Sequence, residues 1–520
     1  MKILYVTDVE GNWEYFLRFV RTVATSPHSA GALSLVDGRL VLQPGYIFVF
    51  GGDVGDKGNG TLRLVHLLVD AKQRYPDRVV LIAGNRDVNK MRWTSEFTDA
   101  EMNLATMDPG IKDGPHWIPE ASRKHLGIVP YLTQLLDAQA ATTAPVTEVD
   151  LTSVNTPVNR IKWILACTMG SDGDFERRRS ELAFLRGCAA DESISDDDVL
   201  RSFRSSVDDG GIVRTYLKLC VLGIALGSTL IVHGGVFAAK DDGVRCCLGR
   251  VPPVDSHTSY AEWVAAIDAS GPVIDATVDV GRWMDELNAW YRAQLHEWER
   301  FPTWNADHTF RGGENLQHYV NTGAAYSVIA GRHLEPSGMP KLMPQKLTDV
   351  LWAQGYRRML VGHTPHGNTP TIVKHRVTRN HPPPGVFQVV MCDTSYSDTR
   401  APDMRGRCTS IVVVDHPTAS QDTAAWRRGD DDRAHLWIEG HLDLSQPPLV
   451  LDEVYGFCPE HDLFVGHVVA HTGEWVKAPL ANDRYLVCAV TNAHTYTYAV
   501  KSTAELARFA APTTGVQRLE

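Results

Sequence analysis

The sequence predicts an α/β fold, on three observations. Apolar runs at Lys2–Thr7, Tyr46–Phe50 and Val79–Ala83 each stop at a loop rich in glycine, acid or amide, as strands buried on both faces do. Apolar residues at helical spacing follow the first two runs: Trp13, Phe16, Leu17 and Val20, then Leu64, Leu67 and Leu68 within Thr61–Tyr75, which Pro76 closes. Strand-like runs resume at Thr229–Val232, Met359–Val361, Phe387–Cys392 and Ser410–Val414.

Between them, Met91–Leu226 reads as an irregular helical insertion. Helices are expected at Asp99–Met107, Pro130–Gln139, Arg160–Met169 and Phe175–Arg186, with Ala141–Pro157 a loop and Asp196–Asp198 a charged turn or cap. Arg282–Arg300 is a strong helix, with Trp283, Leu287, Tyr291 and Leu295 on one face as core residues. Thr418–Arg433 is a polar linker. Beyond it Leu436–Ile438, Leu463–Val469, Tyr485–Val490 and Thr495–Val500 read as strands of a small β-rich module. The expected organisation is a main domain over residues 1–415, with its insertion at about 91–226, and a C-terminal module over 435–520.

A chain of 520 residues exceeds one compact core, which agrees with an inserted main domain and an added module. A net charge of −11 argues against binding nucleic acid through general phosphate attraction. Nine scattered cysteines with no CxxC pair suggest reduced thiols, so a cytoplasmic location is expected. The opening run, MKILYVTD, is too short for a signal peptide, and no stretch reaches the length of a membrane span.

The strand ends carry the chemistry. Asp8 with Glu10, Asp53, Asn85, His233 and His363 each lie one to three residues past an apolar run. In an α/β sheet such ends gather at one edge. Carboxylates, an amide and two imidazoles meeting there have the composition of a two-metal site. Any one of these motifs alone is more often a helix cap, a turn former or a satisfied loop histidine. Five in order, all at strand ends, are hard to obtain by accident.

The order DxE, GD, GNR, HGG, GHT resembles the calcineurin-like metallophosphoesterases, and within them the branch of phosphoprotein phosphatases and diadenosine-tetraphosphate hydrolases. The resemblance covers the motif-bearing parts of residues 1 to about 415. It implies a metallophosphoesterase β-sandwich, a pair of packed sheets flanked by helices with the site at strand ends. It implies a phosphoesterase acting on phosphomonoesters or phosphoanhydrides through a metal-bridging hydroxide. Its cofactors would be two divalent ions. Its substrate would be a phosphorylated small molecule, a nucleotide or a phosphoprotein.

Carried across, Asp8 and Glu10 would hold the first metal, Asp53 would bridge, and Asn85, His233 and His363 would hold the second. Lys57 stands where the family has a phosphate-binding arginine, in the loop that also carries Asp56. Asp87 stands where the family has an acid that orients the catalytic histidine. Asn12 continues the DxxGN run and is expected, with Lys57 and Arg86, to contact substrate; Arg86, Asp87 and Asp56 are the expected catalytic residues.

Two positions depart from the pattern. Glu10 replaces the histidine of DxH, which makes the first site all-oxygen and favours Mn²⁺ or Mg²⁺ over zinc or iron. Arg86 replaces the histidine of GNH, the family's general acid. Arginine cannot release its proton but can steady a transferring phosphoryl group. The alternative is a pseudo-phosphatase that binds metal and phosphate as a scaffold. Minor candidates are Arg177, Arg178 and Arg179 on a solvated helix face, Arg311 or Arg332 as a further phosphate contact, and His366 beside the metal. Asp393 and Tyr396 are expected to be structural.

Overall fold

The structure, a computed structural model, describes residues 1–509 except 30, 108, 115–125, 140–147, 189–192, 241–242, 255–261, 264, 266–273, 275–276, 321–326, 378–384, 395–406, 417–433, 470–471 and 493–494. The linker 418–433, part of the loop 141–157 and Tyr396 lie outside the described residues.

Strand β1 (Lys2–Val6) leads through the first acidic loop into helix α1 (Trp13–Thr25). Asn12 caps that helix, its side chain accepting from Tyr15 N at 3.0 Å. A hairpin follows, β2 (Leu33–Val36) and β3 (Arg39–Leu42), which sequence periodicity did not reveal. Next come β4 (Tyr46–Phe50), α2 (Thr61–Arg74), β5 (Val79–Ile82) and the short helix α3 (Asn85–Asn89).

Past the insertion lie β6 (Cys220–Val221), β7 (Gly223–Leu226), β8 (Thr229–Val232), β9 (Phe237–Lys240) and β10 (Gly243–Cys246). The long helix Val280–Arg300 precedes β11 (Arg358–Val361), β12 (Thr371–Arg376), β13 (Val386–Met391) and β14 (Thr409–Asp415). The C-terminal part holds β15 (His435–Gln446), β16 (Leu449–Phe457), β17 (Trp475–Leu480), β18 (Arg484–Asn492) and β19 (Thr495–Ser502).

Two sheets form the centre. One runs β16-β15-β14-β1-β4-β5-β6, the other β12-β13-β11-β8-β7. Strands β1, β4, β5 and β6 are parallel, as are β8, β11 and β13. Alternation along each strand decides which core a side chain joins. Ile3, Tyr5, Ile47, Val49, Val80 and Ile82 pack with Ile231, Leu360, Ile372 and Val390 between the sheets. Their neighbours Leu4, Val6, Phe48, Phe50, Val79 and Leu81 face the other way, into a core shared with Phe16, Phe19, Leu64 and Leu68 of α1 and α2. Both faces are covered by apolar partners, so the strands read as continuous apolar runs. The fold is the expected sandwich of sheets flanked by helices.

Several local expectations change. The GNRD stretch, read as loop, is the first turn of α3, because the Asp87 carboxylate accepts from Gly84 N at 2.8 Å and caps the helix. Asp196–Asp198, expected as a charged turn or cap, is the capped first turn of an unexpected helix to Val207, with Ser195 and Asp198 forming a capping box and Val199, Phe203 and Val207 buried beneath. Asp99–Met107 shortens to Asp99–Met102. The strand pattern resumes at Cys220, since β6 pairs with β5. Leu463–Val469 forms no strand; only an isolated bridge joins Val468 to Trp475.

Strands β15 and β16 make a long hairpin that extends the first sheet. Separate from it is the antiparallel sheet β17-β18-β19. That small sheet sits on the loop after β11. Tyr496 Oη donates to Pro365 O at 2.9 Å, and Tyr498 Oη to Asn368 Oδ1 at 2.7 Å. Among the described residues no helix is long and apolar enough to cross a membrane.

Candidate metal centre

The C-terminal ends of β1, β4 and β5 in one sheet meet those of β8 and β11 in the other. Their loops bring Asp8, Glu10, Asp53, Asn85, His233 and His363 together. The backbone there is unusual. Asp8, Glu10, Asp53 and His363 have φ of 51°, 49°, 55° and 66°. Left-handed non-glycine residues cost about 1–3 kcal/mol each and persist only where their surroundings over-determine them. Here the cost aims side chains into the cleft.

Close packing leaves room only for glycine nearby. A Cβ at Gly362 would lie 2.1 Å from Asp8 Oδ2, and one at Gly84 would lie 2.1 Å from Asp53 Oδ1. His363 N donates to both Asp8 oxygens at 3.1 Å, and Thr7 Oγ1 donates to Asp8 Oδ2 at 2.5 Å. Asp87 donates nothing but accepts from Asp53 N, Val54 N and Gly84 N at 3.0, 2.9 and 2.8 Å. It thereby fixes the Asp53 loop to the Asn85 turn. Burial, then repulsion from Asp53, pushes its carboxyl up to about 7 against these donors.

Four groups converge as ligands of one ion would. His233 Nδ1 donates to Gly51 O at 2.8 Å, which leaves Nε2 facing Asn85 Oδ1 at 3.4 Å and Asp53 Oδ1 at 3.5 Å. His363 Nδ1 lies 2.9 Å from the same Asn85 oxygen. Donor atoms of Asp53, His233 and His363 fall within 4.8 Å of one another. Ligands bonded at about 2.0–2.2 Å to a single ion stand roughly 3–4 Å apart, so small side-chain shifts would bring these donors onto one ion.

Electrostatics favours a cation at the same point. Burial would lower the His233 imidazole, but Asp53 and Asp8 outweigh it and raise it to about 10. Burial raises Asp53 less than His233, Arg86 and His363 lower it, so this carboxyl lies well below the usual range. The residues present therefore fit a divalent ion held by Asp53, Asn85, His233 and His363.

The Asp8–Glu10 side differs. Glu10 Oε1 lies 2.6 Å from Arg86 Nε, and its Oε2 lies 3.3 Å from Lys57 Nζ. Arg86 also approaches Asp53 Oδ2 and Asp56 Oδ2, each at 3.6 Å. Its backbone N donates to Asp53 Oδ1 at 2.9 Å. The two departures from the family pattern thus meet each other as one ion pair. Burial would lower the guanidinium, but Glu10, Asp56, Asp53 and Asp8 raise it well above the ordinary value. Both Glu10 oxygens are engaged by protein cations, and the ligand cluster around Asp53 includes neither Asp8 nor Glu10. These residues do not fit a first metal in the way the resemblance implied.

Asp56 does not join the cluster of Asp53, His233 and His363. It pairs with the buried Lys90 and accepts from Ser171 Oγ at 2.9 Å, so it braces Arg86 from behind. Lys90 and Ser171 were not legible as site residues, since neither sits in a motif. Asn12 lies in the cleft's first loop but serves as a helix cap. Arg177 reaches Asp56 O at 3.3 Å. Arg178 is buried over the Phe203 ring, and Arg179 pairs with Glu176 and Asp196, so the expected solvated face is mostly packed.

Arg311 is taken up by Glu314 and by Ser95 Oγ. Arg332 instead lies near His363 and Asp393, and its charge adds to the burial that holds the His363 imidazole below its ordinary value. His366 turns away, toward Thr371 Oγ1 at 3.0 Å and the buried Lys477. Asp393 is buried close enough to Asp8 to add, after burial itself, to the rise of the Asp8 carboxyl.

Residues 1–129 match the model of the calcineurin-like phosphoesterase family. The resemblance is borne out over that stretch. Among solved structures, a cold-active protein-tyrosine phosphatase of the psychrophile Shewanella sp. is similar at 13% identity, covering 79% of this chain and 74% of that one, with a TM-score of 0.34. A protein serine/threonine phosphatase from Saccharomyces cerevisiae is similar at 9% identity, covering 86% and 82%, with a TM-score of 0.26. No curated protein sequence matches.

Proposed function

We propose that this chain is a metal-dependent phosphoesterase that works with one divalent ion and one guanidinium. The observation that carries this is the Glu10–Arg86 contact at 2.6 Å beside the cluster of Asp53, His233 and His363. Asp53, Asn85, His233 and His363 would hold the ion, with Asp8 positioning the His363 backbone. Two imidazoles and two oxygens suit Mn²⁺ better than Mg²⁺. When bound, such an ion supplies Lewis-acid charge to a phosphoryl oxygen and makes a water more acidic.

The chain's own residues do the rest. Arg86 is placed by Glu10, Asp53 and Asp56 to offer its remaining N–H groups to phosphoryl oxygens as charge builds on them. Lys57 adds a point charge at the mouth of the cleft, where its side chain is 32% exposed. Arg332 supports the far side, next to His363. Asp87 holds the two loops in register.

No proton donor replaces the family's histidine at position 86, because a guanidinium stays protonated. Leaving groups that depart as stable anions should then be preferred. The expected substrates are aryl phosphates and phosphoanhydrides, including nucleotides, over alkyl phosphomonoesters. Turnover of one substrate of each kind with Mn²⁺, beside an Asp53→Asn control, tests this. Alkyl phosphate should be slower by about 10²–10⁴-fold, the usual worth of a general acid. Equal turnover of all three would overturn the assignment of Arg86.

The scaffold reading draws on the same ion pair, which with Lys57 engages both Glu10 oxygens within the cleft. It predicts phosphate and Mn²⁺ binding with no hydrolysis of any of the three substrates.

A further inference from the structure

We infer that the chain carries a second metal site, of zinc type, built from His435, Cys458 and His461 on the sheet edge opposite the cleft. The β1–β14–β15 register pairs Lys2 with Asp415 and Asp415 with His435. His435 therefore lies at the N-terminal end of β1, whereas Asp8 follows its C-terminal end. The two centres are separate.

The donors come from a compact arrangement. His435 opens β15, Cys458 directly follows the end of β16, and these strands are antiparallel neighbours. The chain then turns, His461 N donating to Cys458 O at 3.0 Å, so Cys458 and His461 face one point with a Cys-x-x-His spacing. One donor atom from each of the three residues lies within 4.8 Å of the others, and the imidazole centroids are 5.7 Å apart. A tetrahedral zinc, with bonds of about 2.0–2.3 Å, draws such donors to roughly 3.3–3.8 Å. Both imidazoles are exposed, so small side-chain rotations close that gap.

Glu460 stands beside the thiol as a candidate fourth donor, outside the three-residue group as the side chains stand. Cys458 Sγ donates to Glu460 Oε2 at 2.9 Å. Metal binding releases that thiol proton, and the ion takes its place between thiolate and carboxylate. The other carboxylate oxygen accepts from Arg358 Nη2 at 3.0 Å and Leu436 N at 3.3 Å, which orients Glu460 as a supporting partner would. One thiolate, two imidazoles and a carboxylate select zinc over magnesium or calcium. Because Arg358 starts β11 in the second sheet, the ion would tie the two sheets together at the edge away from the cleft.

The site is independent of the phosphoesterase reading and is tested without assaying activity. The full chain is stripped with a chelator and reloaded with Co²⁺ as a spectroscopic probe. Among the described residues no cysteine joins the cleft's ligand cluster, so a near-ultraviolet thiolate-to-cobalt charge-transfer band with intense tetrahedral visible bands that depends on Cys458 marks this site. The expected result is that band at one equivalent of Co²⁺, its displacement by Zn²⁺, and its loss in Cys458→Ser. His435→Ala changes an exposed side chain and should keep the fold while weakening the tetrahedral bands. Wild-type protein without a thiolate band, or an unchanged band in Cys458→Ser, would overturn the site. So would full tetrahedral intensity in a folded His435→Ala protein.

Discussion

Removing the guanidinium by Arg86→Ala asks most directly whether Arg86 stands in for an ion. The side chains of Arg86 and Glu10 are 16% and 8% exposed, with 2.6 Å between Nε and Oε1. Asp53 and Asp56 lie within 3.6 Å of the same guanidinium. At an effective dielectric of about 20, unit charges about 4 Å apart interact by about 4 kcal/mol. Deleting one partner of a buried pair costs about 3–5 kcal/mol, since the other charge stays buried and uncompensated. Metal-free Arg86→Ala should therefore be destabilised by that amount in urea.

Mn²⁺ should then return part of the loss. The vacated space is faced by Asp8, Glu10 and Asp53, and an ion at 100 times its dissociation constant contributes about 2.7 kcal/mol. The gap between variant and wild type should narrow by about that much in Mn²⁺, and bound manganese should rise by one ion per chain. Elemental analysis and urea midpoints with and without Mn²⁺ read both effects. Equal manganese content together with equal Mn²⁺ stabilisation in the two proteins would refute the substitution of guanidinium for metal.

Three other outcomes are expected. Gly362→Ala places a Cβ 2.1 Å from Asp8 Oδ2 and 2.4 Å from Thr7 Oγ1; a displacement of about 1 Å can cost about 10²-fold, and phosphatase kcat near wild type would contradict the packing. Glu181→Ala removes the carboxylate that accepts from Leu62 N and Arg63 N at 2.9 and 3.0 Å, where Gly60 offers no side-chain cap; a loss of about 1–3 kcal/mol is expected in urea unfolding, and no loss would mean water replaces the cap. Burial pushes Lys477 down to about 7, so between pH 7 and about 10.5 the unfolded chain binds more protons and stability should rise with pH. Lys477→Met should lack this rise, and parallel stability curves for variant and wild type across that window would count against it.

Sequence alone determined the strand ends. Asp8, Asp53, Asn85, His233 and His363 follow apolar runs whose burial on both faces makes them strands, and parallel strands bring their ends to one edge. The main helices were legible because their apolar spacing is long and regular, as in Val280–Arg300. The helix from Asp196 was hidden by its acidic first turn, which reads as a charged turn or cap with no sign of the helix that follows until Val199, Phe203 and Val207 are seen buried behind it. Leu436–Ile438 read as the start of a separate module, and β16 was not read at all, because pairing in register with β14 leaves no local signal.

Only the tertiary structure decided which charges meet. Glu10 and Arg86 each look like the loss of a histidine along the chain; folded, they are one contact, since β1 and β5 flank β4 in the same sheet and their ends converge. It likewise separated Arg332, beside His363, from Arg311, which Glu314 holds elsewhere. The physical reason is the same in both cases. Periodicity and burial are written locally, but electrostatic partners are chosen by proximity across strands that only packing brings together.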